Sequence, residues 1–197
     1  ERKQRVNEAL EKVGMAHRAT GDYKTARLYY EKALSLWQKE GNLFWQANLL
    51  NNMGVMYHFQ GEYEQAVRTL EEGLSCARRS GHIRMEAMNL PSLGDLYAEL
   101  EEWGAAQQAY QQAQEIANRI DETFLNRYLT MAQAGIARVR GAYHQARSLL
   151  DLAQEQITRS GSNYEKGLLH LERGRFLLAV EDSQEAIYDL QASEQCF

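Results

Sequence analysis

The chain has one proline in 197 residues, two cysteines, no low-complexity tract and no long apolar run. Each scarcity excludes something. A single proline and no biased segment leave no place for a long linker or a disordered tail. No apolar stretch approaches the roughly twenty residues that a membrane helix needs, and no signal peptide opens the chain. Lys and Arg number 22 against 27 Asp and Glu, for a net charge of -5, and the basic residues are interleaved with acids. Nucleic-acid binding needs a basic face, so direct contact with DNA or RNA is not expected. Cys76 and Cys196 lie outside any metal-ligand spacing, and no HExxH pair, phosphate loop or dinucleotide fingerprint is present. No catalytic set, metal or cofactor is therefore expected, and the chain reads as a non-enzyme.

What is present is a period. Gly14, Gly54, Gly94 and Gly174 fall on one phase of forty residues, with Ala134 in the remaining place. Ala26, Ala66, Ala106, Ala146 and Ala186 fall on another without exception. Self-similarity at this spacing marks a helical solenoid, in which each repeat contacts its neighbours and the core is a ribbon. Two turn signals recur within each repeat. The inner turn has Gly21, Gly61 and Gly141, with Glu101 and Glu181 at the same phase. The outer turn has Gly41, Gly81 and Gly161, with Asp121 at the fourth position. Glycine just past a helix end is the usual left-handed stop, and Asp22, Asn42, Ser162 and Asp182 follow as N-terminal caps. Helices of about 15–18 residues, each roughly 25 Å long, fit between these signals. The expected repeats run about 3–42, 43–82, 83–122, 123–162 and 163–197, a single domain of five hairpins and ten helices. Cys76 and Cys196 are three repeats apart, too far for a disulfide, as suits a reducing cytoplasm.

The first helix of each pair is expected to bury a set such as Leu10, Val13, Gly14 and His17, or Leu50, Met53, Gly54 and Tyr57, or Leu90, Leu93, Gly94 and Tyr97. The second helix opposes it with Tyr23, Ala26, Tyr30 and Ala33, or Tyr63, Ala66, Leu70 and Gly73. Bulky side chains thus lie over small ones. Repeat four departs from the pattern with Ala134 and Ala137, and repeat five with Ser183.

These residues carry a resemblance. An apolar residue, Gly, Tyr, a turn Gly, then Tyr or Trp, Ala, Tyr or Leu, and Ala is similar to the tetratricopeptide repeat, over essentially the whole chain. The usual repeat has 34 residues. The lengthened form here resembles the repeats of kinesin light chain and of maltose-activator-type bacterial transcription regulators. A HEAT or armadillo array has a similar period, but its proline-bearing first helix is matched only at Pro91, where a kink is expected. The resemblance implies an all-α, right-handed superhelical solenoid that binds a protein or peptide, or a small effector, in a concave groove lined by the first helices. It implies no catalysis.

By phase, the expected groove residues are Arg18, Asn48, Asn51, Asn52, Val55, His58, Phe59, Asp95, Tyr128 and Arg138. Amides that both donate and accept suit an extended peptide backbone. The family's clamp for a C-terminal carboxylate is not reproduced, because its positions here hold Glu11, Met15, Asn52, Met88 and Ser92. The resemblance gives the expected role: a partner-sensing segment of a multidomain signalling or transcription regulator, or else an adaptor that assembles proteins. A chain opening on Glu1 is expected to be a piece of a longer protein. Ile187, Leu190 and Phe197 on the last helix are expected to stay uncovered and to favour end-to-end self-association.

Overall fold

The computed structural model describes residues 2–197. Ten helices and no strand occur among them: α1 (Arg2–Ala19), α2 (Tyr23–Lys39), α3 (Leu43–Phe59), α4 (Tyr63–Ser80), α5 (Ile83–Glu99), α6 (Trp103–Arg119), α7 (Thr123–Val139), α8 (Tyr143–Ser160), α9 (Asn163–Ala179) and α10 (Ser183–Glu194). They fall into two compact units, Glu1–Glu102 and Trp103–Phe197. Consecutive helices pack against each other within each unit, as in a tetratricopeptide array. First helices also touch directly, α1 with α3 and α3 with α5 in one unit, α7 with α9 in the other, whereas α2 and α4 do not meet, nor do α6, α8 and α10 among the described residues. The first helices are therefore the more closely packed layer of each unit.

The stops form where the glycines stand. Gly21, Gly41, Gly61, Gly81 and Gly141 all have φ between 66° and 78°, a region glycine enters at no steric cost. Glu101, Asp121 and Glu181 adopt it too, at φ 60°, 53° and 65°, so the repeat geometry overrides the local preference there. The expected left-handed stop at Gly161 does not form. Its φ is -75° and ψ 144°, because Ser162 and Glu165 close a capping box that demands an extended approach to α9. Glycine is required there for room: a Cβ at 161 would stand 2.5 Å from the Ile157 side chain and 2.7 Å from its carbonyl oxygen. The other caps are as expected, with Thr25 N donating to Asp22 at 3.1 Å, Trp45 N to Asn42 at 3.2 Å and Glu185 N to Asp182 at 3.4 Å.

The core follows the two phases. All five alanines are fully buried. The first-helix glycines abut the second helix of the same hairpin: a Cβ would meet Tyr30 at 2.6 Å from Gly14, Leu70 at 2.5 Å from Gly54, and Leu190 at 2.8 Å from Gly174. Three expectations change. Val13 is exposed, because α1 contacts only α2 and α3 and its other flank is open. Leu190 is not uncovered, since it closes over Gly174, while Ile187 and Phe197 remain exposed. Tyr63, expected in the buried set of α4, is 36% exposed at the start of that helix. Pro91 is buried within α5. Cys76 and Cys196 are both free thiols.

Leucine at Ala66 has no room to enter. Ala66→Leu is expected to cost about 1–3 kcal/mol by overpacking, at roughly 2–4 °C of melting temperature per kcal/mol for a chain of this size. A thermal unfolding curve superimposable on that of the parent chain would show that this phase does not set the helix spacing.

Candidate functional site on the first-helix face

In the first unit, α1, α3 and α5 present their solvent-facing sides together, and the expected groove residues of that unit lie on them. The amide cluster of α3 is partly committed to holding the helices. Asn52 Nδ2 donates to Glu11 Oε1 of α1 at 3.2 Å and to Asn48 Oδ1 at 3.3 Å. Glu11 is only 7% exposed. Burial pushes its carboxyl up, the hydrogen bond from Asn52 offsets part of the rise, and Glu8 adds to it. Asn51 and Val55 are half-buried, and Asn51 Oδ1 is a buried acceptor with no hydrogen bond. Arg18 near the end of α1 is half-buried, and its Nε likewise has no hydrogen-bond partner.

Near the C-terminal ends of the helices, a second cluster ties α3 to α5. His58 Nε2 lies 2.5 Å from Glu99 Oε2, and the Tyr63 hydroxyl donates to Glu99 Oε1 at 2.8 Å. The hydrogen bond from His58, then that from Tyr63, holds the Glu99 carboxyl below the usual range. The Phe59 ring stacks on His58 at 6.0 Å and 7° between planes, yet 65% of Phe59 is open to solvent. Met15 of α1 and Met88 of α5 are also exposed, and Asp95 is half-buried on α5. This face therefore combines internally bonded polar groups with three exposed apolar side chains, two of them adaptable methionines. That composition suits binding rather than reaction chemistry.

The second unit carries Tyr128, half-buried, and Arg138 on α7. Arg138 Nη2 lies 3.9 Å from Glu172 Oε2 of α9, and Arg175 Nη1 donates to Glu172 Oε1 at 2.5 Å. Gly135 leaves space for this carboxylate, since a Cβ there would stand 3.2 Å from it. The pairings of His58 with Glu99 and of Arg138 with Glu172 are not visible in the spacing within one helix. For the first, the signal lies in the register between adjacent first helices: Glu11–Asn52 and His58–Glu99 are both separated by 41 residues, one repeat plus one.

No group of three His, Cys, Asp or Glu able to hold a metal occurs among the described residues. No described helix is long and apolar enough to cross a membrane.

The fold has solved counterparts. A Podosopora anserina kinesin light chain-type protein with nearly identical TPR-like repeats superposes with a TM-score of 0.74 at 14% identity, over all of this chain and 96% of that one. The Signal Transduction ATPase with Numerous Domains with a tetratricopeptide repeat sensor from Pyrococcus horikoshii gives 0.72 at 15% identity, with 95% of this chain matched to 33% of that one. YrrB, a TPR protein with an unusual peptide-binding site, gives 0.55 at 18% identity over 95% and 84%. At such identities the likeness is one of fold. No curated protein matches the chain. Residues 5–79 match the tetratricopeptide repeat family model, and residues 53–195 match that of the suppressor of spindle checkpoint defect 1 C-terminal domain. With the repeat phases, the turns and the layered hairpins in agreement, the chain belongs to the tetratricopeptide-repeat family and, over residues 53–195, to that of the suppressor of spindle checkpoint defect 1 C-terminal domain.

Proposed function

We propose that the chain is a non-catalytic recognition segment whose first-helix face binds a peptide or protein segment. A tetratricopeptide array is in general an interaction scaffold. The observation that carries the particular site is Phe59, an aromatic 65% exposed and held in place by its stack on His58. Met15 and Met88 offer apolar contact from the two flanking first helices, and the half-buried Asn48 and Asn51 lie on α3 between those helices, Asn48 Oδ1 already accepting from Asn52. An anchored aromatic with little rotamer freedom left to lose is what an interface hot spot requires. In the second unit, Tyr128 and Arg138 are the corresponding contributors.

The role we favour is the partner- or ligand-sensing segment of a multidomain signalling or transcription regulator in the cytoplasm, its five repeats serving as one domain. The Pyrococcus horikoshii ATPase, in which tetratricopeptide repeats form a sensor, supports that reading. The kinesin light chain-type repeats support the alternative of an adaptor that assembles proteins. Sequencing through both flanks of the gene separates the two, since a regulator requires an ATPase or DNA-binding module beside the repeats.

The site is tested with a displayed peptide library selected on the whole chain. The most enriched peptide is titrated against the parent and against Phe59→Ala/Met88→Ala. Truncating an aromatic anchor costs about 2 kcal/mol or more, so the affinity is expected to fall by roughly thirtyfold, with helicity and melting temperature retained. Equal affinity in the variant moves the site off this face, and a library that yields no binder counts against peptide recognition.

A further inference from the structure

Repeat four departs from its neighbours at one volume-bearing position. At the phase where α3 has Tyr57 and α5 has Tyr97, α7 has Ala137. In the first unit Tyr57 is 2% exposed, and the Arg27 guanidinium of α2 lies over its ring, 5.5 Å from the centroid. In the second unit Gln107 of α6 stands at the phase of Arg27, and alanine replaces the ring. At the phase of Gln60 and Leu100, Arg140 is the larger side chain that borders the gap. A cleft of about 250 Å³ opens between α6, α7 and α8, lined by Gln107, Gln133, Ile136, Ala137, Arg140 and Gln145. Arg140 Nη1 donates to Gln107 Oε1 at 3.0 Å beside it. The cleft includes α6 and α8, which are second helices, so it is distinct from the first-helix face proposed above and does not depend on that reading.

The chemistry of the lining differs from that of a mere packing fault. A void of about 150 Å³ lined only by apolar side chains stays dry and accepts benzene. This cleft is larger. It has an apolar part at Ile136 and Ala137, and three glutamines whose amides both donate and accept. It also has an arginine whose present partner is a neutral amide, which an anionic oxygen would outcompete through a charge-assisted bond.

We infer that the cleft binds a single aromatic ring bearing a hydroxyl or anionic substituent, seated where Tyr57 sits in the second repeat. The ring packs against Ile136 and Ala137. The substituent meets Arg140 and the glutamine amides. Such a ring can come from a free aromatic acid or from a tyrosine of another polypeptide, and the two sources differ in whether a carboxylate or a phenol reaches Arg140.

The test uses the whole 197-residue chain with methyl-labelled isoleucine and alanine, followed by NMR. The probes are 4-hydroxyphenylacetate for the free acid, N-acetyl-tyrosinamide for the polypeptide-borne ring, and cyclohexylacetate as the non-aromatic control. Saturable shifts of the Ile136 and Ala137 methyls with at least one aromatic probe are expected. Ala137→Tyr should refill the cleft, keep or raise the melting temperature, and weaken binding by about tenfold or more, equivalent to 1.4 kcal/mol. Ala137→Leu, which installs the residue found at the same phase as Leu177 in repeat five, gives the same reading should the tyrosine variant fail to fold. Arg140→Gln should weaken the acid more than the amide. Binding of the acid alone assigns a free ligand, and binding of the amide assigns a tyrosine from a partner chain. The inference is overturned if neither aromatic probe gives saturable shifts, if cyclohexylacetate binds as well, or if filling the cleft leaves affinity unchanged.

Discussion

Arg127→Met is expected to destabilise the second unit by about 3–5 kcal/mol, the usual result of removing one member of a buried ion pair. Arg127 Nη1 donates to Glu165 Oε1 at 2.9 Å, and the two residues are 9% and 4% exposed. The loss comes mainly from the buried carboxylate left behind. Replacing both, as Arg127→Met/Glu165→Leu, should therefore recover most of it. About 1 kcal/mol should remain lost, because Glu165 also closes the capping box by accepting the Ser162 N–H at 2.7 Å. Urea denaturation of both single variants and the double closes the cycle. Single variants that lose less than about 1 kcal/mol would remove the pair from any account of how α7 holds α9.

The same carboxylate gives the pair a pH signature. Burial by itself would raise the Glu165 carboxyl, but the Ser162 backbone hydrogen bond and the Arg127 and Ser162 side chains outweigh it, and the net displacement is downward from 4.5. The folded state then binds its proton less readily than the unfolded state. The contribution is fully present above about 4.5, and it is lost as pH falls through the lower folded value. The parent chain should lose more stability than the double variant across that acidic window, and little difference in slope is expected at neutral pH.

The elements that repeat were legible in the sequence because recurrence tells phase, and phase tells face. Ala66 and its four counterparts needed no structure to be placed in the core. Neither did Asp22 or Asn42 as caps. What depended on one helix sliding against another was not legible. Asn52 looked available for a ligand until α1 brought Glu11 to it, and His58 until α5 brought Glu99. Spacing within one helix cannot reveal a partner 41 residues away without the register of the adjacent layer. Gly161 shows a different failure. The glycine and the Ser162–Glu165 box were both visible, and they call for incompatible backbone conformations at 161. The box prevailed because it satisfies two backbone donors at the start of α9. The alanine at 137 was legible as a departure, but the cleft it leaves depends on Gln107 and Arg140 arriving from either side.

Gly54→Val is expected to be the most damaging single change in the first unit, while Gly104→Ala should stabilise the second. Gly54 is in the interior of α3, where glycine is worse than alanine by about 1 kcal/mol, and Gly104 is in the first turn of α6, where the difference is smaller. By helix propensity alone, each substitution by alanine would help. The surroundings decide the sign. Around Gly104 nothing lies within 4 Å of an added Cβ, so Gly104→Ala should gain that smaller amount. At Gly54 an added Cβ would stand 2.5 Å from Leu70 Cγ and 3.3 Å from the Leu70 backbone nitrogen. Leu70 is fully buried and has nowhere to turn, so α3 must move away from α4. Overpacking of this kind costs about 1–3 kcal/mol and occasionally more, and valine's second methyl and restricted χ1 place it at the upper end. Separating α3 from α4 would also disturb the α3 face that carries Asn48, Asn51 and Phe59. Gly54→Val should consequently lower both the melting temperature and the affinity for the selected peptide, whereas Phe59→Ala/Met88→Ala lowers affinity alone. Melting temperatures of Gly54→Ala, Gly54→Val and Gly104→Ala, measured together, check the ordering. A Gly54→Val chain as stable as its parent would mean that close approach of α3 and α4 is not what keeps glycine at this phase.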